Sequence, residues 1–237
     1  MARMHGAEVR VYLGDRDVGG DLTSIAPAVS ADTHEVTNFS SNGWKQSVVG
    51  LVGWTASIEG FYDPAVDGYG RQLSDLLGAT GGILSIFDGD ADAVGKGGWL
   101  GSEAILTERS ESVSVADLVK LSGVLQGAGR AGMDARLLHP HGQESASDSG
   151  SSVDNSAASA NGGRANLHVT AATGRWAVKI EHSTDNSTWA DLVAFSSINA
   201  GTSFTKEVSG QVNRYLRARW TEGAAGSVTF VLGFARY

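Results

Sequence analysis

Short runs of alternating apolar and polar residues recur along most of this chain. Glu8-Val9-Arg10-Val11-Tyr12-Leu13 has the two-residue period of a strand. Trp54-Thr55-Ala56-Ser57-Ile58-Glu59-Gly60-Phe61 repeats it, with Trp54, Ala56 and Ile58 on one face. Gly81-Gly82 opens the run Ile83-Leu84-Ser85-Ile86-Phe87, and further strands are predicted over 113–115, 118–125 and 133–138, the last ending the series at Pro140. One segment has the helical period instead. Between Tyr69 and Gly78, Leu73, Leu76 and Leu77 stand at i, i+3 and i+4, with Pro64 and Asp67 before them and Gly78 placed to stop the helix. After residue 152 the strand pattern resumes over 166–170, 176–182, 189–195, 203–208, 215–221 and 227–234, with a turn at Asp185-Asn186-Ser187. Strands this short, spaced by turn residues, predict an all-β protein with one short helix, arranged as sandwiches or barrels.

Residues 142–152 contain no large apolar side chain and are the best linker in the sequence. They divide the chain into a first β domain at 1–141 and a second at 153–237. Charge follows the same division. Residues 1–140 carry 10 basic and 18 acidic side chains, whereas 164–237 carry 8 basic and 5 acidic, within an overall net charge of −8. That balance argues against a nucleic-acid-binding surface, which needs clustered Lys and Arg against phosphate. The absence of cysteine excludes disulfides, zinc thiolates and cysteine nucleophiles. No apolar run reaches the ~20 residues of a membrane span, and the first residues lack the apolar core of a secretory signal, so synthesis and use in a cytoplasm, or exit by a route other than secretion, are expected.

The motifs that could carry chemistry are weak. Gly127-Ala128-Gly129-Arg130-Ala131-Gly132 has dinucleotide spacing, but Met133 to Pro140 is too short for the helix that must follow, so a glycine-rich hairpin turn is expected. Asp88-Gly89-Asp90-Ala91-Asp92 begins like a calcium loop but lacks its Gly and its closing Glu, and reads as a solvated acidic loop. His139-Pro140-His141 reads as an exposed linker pair without further ligands; His5, His34, His168 and His182 are isolated. Asp15/Asp17 and Glu108/Glu111 read as surface charges. With no G-x-S-x-G, no catalytic, metal or cofactor residue is assigned, and the chain is read as a non-enzyme. Five of the six tryptophans are expected in cores or interfaces. Trp44 differs because it stands in a polar Ser-Asn-Gly loop with little intrachain core to join.

The stretch from Asp32 to Asp63, DTHEVTNFSSNGWKQSVVGLVGWTASIEGFYD, resembles the signature region of siphophage major tail (tail tube) proteins: a polar strand, a loop with Gly43-Trp44-Lys45, then Gly50-Leu51 and a strand with Trp54, Ser57 and Gly60. DLVKLSGVLQG, from Asp117 to Gly127, is similar to a late strand of that family. The resemblance implies a tail-tube β-sandwich or barrel assembling as hexameric rings. These would stack into a DNA conduit of a virion built in the bacterial cytoplasm, with tape measure and tail terminator proteins as partners. It implies that the loop at about 33–49 reaches the adjacent ring. Asn38, Phe39, Ser40, Ser41, Asn42, Gly43, Trp44 and Lys45 would be its inter-ring residues. Residues 148–237, with SVDNSAASANGG, VKIEHSTDNSTWADL and RYLRARW, are similar to a β-sandwich appended to phage virion proteins. That likeness implies a surface domain, and leaves open a decoration or host-glycan-binding role.

Overall fold

The computed structural model describes residues 6–64, 68–88 and 93–237, so His5, Asp67, Asp90 and Asp92 lie outside the described residues. Its elements are strands β1 (Arg10–Leu13), β2 (Arg16–Asp17), β3 (Leu22–Glu35) and β4 (Ser47–Phe61), helix α1 (Tyr69–Leu76), and strands β5 (Gly82–Phe87), β6 (Gly97–Ser112), β7 (Lys120–Gly127) and β8 (Gly132–Glu144). They continue as β9 (Asp148–Ser149), β10 (Val153–Asp154), β11 (Gly163–Ala172), β12 (Arg175–Ser183), β13 (Ala190–Ile198), β14 (Thr202–Val208), β15 (Tyr215–Ala224) and β16 (Val228–Arg236). The fold is all-β with one short helix. The chain forms two compact units, one from 1–20, 81–103 and 131–237, the other from 21–80 and 104–130. The division therefore falls elsewhere than at 142–152: residues 142–144 belong to β8 and 148–149 to β9, and β16 pairs along β8 from Arg136 to Glu144.

The larger unit packs a sheet of order β14-β11-β16-β8-β6-β5-β1-β2 against a second, β10-β15-β12-β13, with β9 on β15. Leu167, Phe230, Leu232 and Phe234 of the first meet Trp176, Ile180, Phe195, Leu216 and Trp220 of the second in one buried cluster. The other face of β16 is covered as well, since Val231 and Ala235 lie in a cluster with Tyr12, Phe87 and Leu100. Double-sided burial is why 228–236 reads as a nearly continuous apolar run. Pro140 does not end β8. Between Phe230/Gly142 and Leu232/His139 the register shifts, and such a bulge tolerates the missing proline N–H. His139 is not an exposed linker residue. It is buried, stacked on Phe230 at 4.0 Å and bonded to Glu144 Oε1 at 3.2 Å, while His141 is exposed beside Thr170.

Two polar side chains of β11 reach the far end of the strand order. His168 Nδ1 donates to the Gly14 carbonyl at 2.6 Å, which leaves Nε2 to accept from Ser85 Oγ at 2.7 Å. Asn166 Nδ2 donates to Ser85 Oγ at 3.0 Å and to the Gly101 carbonyl at 2.9 Å. These bonds hold the rolled sheet by side chains where no backbone ladder joins its ends. Burial lowers the His168 pKa to about 4. In the unfolded chain the ring titrates near ~6.5, so the unfolded state takes up the extra proton as pH falls between these values. The stabilisation from neutral His168 is therefore complete above pH ~6.5 and lost on the way to pH ~4, a change of about 3 kcal/mol. Buried His139, also lowered, adds in the same direction. Urea titrations across this range should show that slope, and His168→Gln should flatten it while lowering stability at pH 7.

The smaller unit is an antiparallel sheet of order β3-β4-β7-β6, to which β6 contributes from Ala104 onward. Its register explains its two faces. Trp54, Ala56 and Ile58 of β4, Leu121 and Leu125 of β7 and Leu106 of β6 are buried, and α1 adds Tyr69 and Leu73. The opposite face sets Ser24 beside Glu59, Glu59 beside Ser122 and Ser122 beside Ser110; the next rows bring Ser57 to Val124 and Thr55 to Gln126. The helix stops at Leu76, and Gly78 takes the left-handed φ of +72° expected of it, but Leu77 is exposed. Residues 113–115 form a turn after β6 and not a strand. The glycine-rich segment at 127–132 links β7 to β8, which do not pair with each other, so it is a connector and not a hairpin turn.

Candidate interaction surface

β3 and β4 are far longer than the sheet they belong to. From Ala26 to Gly53 every residue except Ser41 and Gly50 is exposed, whereas Trp54 below them is 2% exposed. A two-stranded ribbon thus extends roughly 20 Å beyond the core, at ~3.4 Å per residue over Ser47–Gly53. It is paired along its length apart from one bulge. Ala31 faces Val52, Thr33 faces Val49 and Glu35 faces Ser47. The extra residue on β4 between the first two pairs is a bulge at Gly50, where a Cβ would stand 2.8 Å from His34 Nε2. The loop that the resemblance implies at about 33–49 is shorter in the structure, at 36–46, because 33–35 and 47–49 are paired strand.

The tip is shaped by its own hydrogen bonds. Asn42 and Gly43 have φ of 49° and 80°, the double left-handed conformation that an Asn-Gly turn adopts at least cost. Trp44 N–H closes that turn onto the Ser41 carbonyl at 3.0 Å. Asn38 N–H donates to Ser41 Oγ at 3.0 Å and Ser40 N–H to Asn38 Oδ1 at 2.8 Å, which is why Ser41 alone is buried here. Gln46 N–H donates to Thr37 Oγ1, and Lys45 pairs with Glu35 at 3.1 Å. Phe39 and Trp44 are left outside this frame, 110% and 79% exposed.

The apolar surface continues down the ribbon. Val48, Val49, Leu51 and Val52 of β4 are exposed, although alternation counting would have put half of them in a core. Near the tip the partner strand is polar, with Asp32, Thr33, His34 and Glu35, as suits an edge. A second exposed apolar group lies on the β6–β7 turn, where Val113, Val115 and Leu118 are 73%, 110% and 63% exposed. Here too the backbone is fixed: Leu118 N–H donates to Asp117 Oδ1 at 2.8 Å and Asp117 pairs with Lys120 at 3.1 Å. Side-chain and backbone hydrogen bonds, led by Lys120, hold the Asp117 carboxyl below its ordinary range. Both apolar groups thus stand exposed on backbone fixed by its own hydrogen bonds.

The other singled-out residues serve structure. Asp17 Oδ1 accepts from Gly19 N–H, Glu111 pairs with Arg109, and Asp185 caps the β12–β13 turn by accepting from Ser187 and Thr188. Those bonds keep Asp185 well below the usual carboxylate range. Trp54 and Trp176 are core residues, and Trp189 carries Arg217 over its ring at 4.2 Å.

No protein-family model matches this chain, and no curated protein matches it in sequence. Among solved structures, a chain of the virion of the native gene transfer agent particle is similar over 54% of this chain and 97% of its own, at 15% identity and a TM-score of 0.41. A chain of the SPP1 tail tube is similar over 54% and 77%, at 16% identity and a TM-score of 0.39. The SPP1 Dit protein, described as a hub of the adsorption apparatus in phages infecting Gram-positive hosts, is similar over 95% and 99%, at 12% identity and a TM-score of 0.34.

Proposed function

We propose that this protein is a structural subunit of a phage-type tail tube, whose copies form stacked hexameric rings around a DNA conduit. The observation that carries this reading is the apolar ribbon of β3 and β4, with Phe39 and Trp44 at its tip, held in shape and left uncovered by its own chain. An isolated two-stranded ribbon is marginal in water, and a partner surface supplies what it lacks. Of the stretch that resembles tail tube proteins, 32–53 lies on this ribbon, and 54–63 and 117–127 lie in and beside the sheet that carries it.

The solvent face of the small sheet suits a conduit. Ser24, Ser57, Glu59, Ser110, Ser122 and Gln126 offer hydroxyls, an amide and a carboxylate, and the nearby Lys120 is already paired with Asp117. The unit that carries them has 10 acidic and 5 basic side chains, so DNA gains little by counterion release on touching it. Tape measure and terminator proteins would meet the tube at its lumen and its end, and the virion is the place of action. Concentrated full-length protein should form tubes under negative stain and a fast, concentration-dependent boundary in sedimentation velocity. A monomer that persists at every concentration would reject the proposal.

A further inference from the structure

Unit 21–80 with 104–130 has two uncovered apolar ends, and the strand register places them at opposite ends of one sheet. Phe61 pairs with Lys120 and Thr55 with Gln126, so β7 starts at the end of β4 remote from the ribbon. Ser112 of β6 pairs with Lys120, so the turn bearing Val113, Val115 and Leu118 lies at that remote end too. β4 runs 15 residues from Ser47 to Phe61. At ~3.4 Å each the ends are about 50 Å apart, too far along a hydrogen-bonded ladder for one chain to cover its own ribbon with its own turn.

The two ends differ in kind. The turn is a compact aliphatic knob of three side chains, and the ribbon is a broad strip carrying Phe39, Trp44, Val49 and Leu51. With ~150–250 Å² per large aromatic side chain and less for aliphatics, the two ends expose on the order of 1,000 Å² of apolar surface, the scale of a specific interface. Like ends meeting like would give a closed two-fold pair and leave the other end of each copy open. Unlike ends meeting repeat without limit and cover both.

We infer that copies of this chain stack head to tail, the 113–118 turn of one copy seated on the β3–β4 ribbon of the next. The inference rests on the assembly reading above and names the surface that the ribbon meets. Neither apolar end is left in water inside a stack, and only the terminal copies expose one. The direction of the stack is fixed, because the knob and the strip cannot exchange roles.

The chain has no cysteine, so introduced thiols report this contact cleanly. Full-length Ser40→Cys and Ala116→Cys variants, both at exposed positions, are mixed and oxidised. The expected product is a mixed disulfide dimer, in roughly tenfold excess over the homodimer that either variant gives alone. Predominant Ser40→Cys homodimers, or no mixed dimer, would overturn the head-to-tail contact. Electron microscopy of the unmodified protein separates the two readings. Tubes without the mixed disulfide sink this inference alone. A mixed disulfide without tubes sinks the tube and keeps the contact.

Discussion

Trp44→Ala should leave a folded, soluble monomer that no longer assembles. Trp44 touches no core in its own chain; it is 79% exposed, and the turn that presents it is closed by backbone atoms and by Ser41 and Asn38. Removing its indole therefore costs the monomer little, within about 0.5 kcal/mol for an exposed site. At an interface a central tryptophan is worth ≥ ~2 kcal/mol, which is about thirtyfold in each contact. A ring repeats the contact at every copy, so the critical concentration for tubes should rise beyond the working range. Circular dichroism and urea unfolding should match the parent protein, while pelleting assays and negative stain show no tubes. A variant that unfolds would make Trp44 a core residue, and tubes at the normal rate would remove the ribbon tip from the interface. Phe39→Ala should behave alike and the double variant more severely.

The largest effect on stability is expected from one missing methyl position in the small sheet. Gly127 ends β7 over the ring of Trp54, where a Cβ would lie 1.9 Å from Nε1 and 2.0 Å from Cε2. Trp54 is 2% exposed and its ring is rigid. Gly127→Ala must force the indole off its rotamer or lift β7 from β4, an overpacking cost at or above the usual ~1–3 kcal/mol. Gly53→Ala is the control, because nothing lies within 4 Å of its Cβ position, and it should stay within about 0.5 kcal/mol of the parent. Adding Trp54→Phe to Gly127→Ala should recover part of the loss, which would locate the clash in that pair by a double-mutant cycle. A Gly127→Ala protein as stable as the control would show that β7 shifts freely.

Strands of the C-terminal half with one dry face, β15 above all, were legible for that reason. In β15, Leu216, Ala218 and Trp220 are buried and alternate with Tyr215, Arg217 and Arg219, so the period appears directly in the sequence. β3 was illegible for the converse reason. Its 14 residues are nearly all exposed, it holds Pro27, and no face of it is selected for apolarity. Phe39 and Trp44 could be singled out as large aromatics among Ser, Asn and Gly. Val48, Val49, Leu51 and Val52 could not, since an apolar strand residue is ordinarily taken for core. The buried state of His139 was hidden as well. It depends on Phe230 and Trp220, some 80–90 positions along the chain: Phe230 comes beside β8 through strand pairing, and Trp220 through packing of the second sheet on the first. The division into units was hidden for the same reason, because ladder partners and not neighbours in sequence decide it.

β16 is buried on both faces, between β11 and β8, and the ribosome makes it after every strand that it organises. At ~5–20 residues per second, β1 waits some tens of seconds for that keystone. The segments of the smaller unit emerge earlier and are complete once β7 is out. During synthesis the nascent chain therefore shows its exposed apolar ribbon before the larger unit can close. On a polysome, where neighbouring chains emerge together, this order sets a race between maturation and premature association.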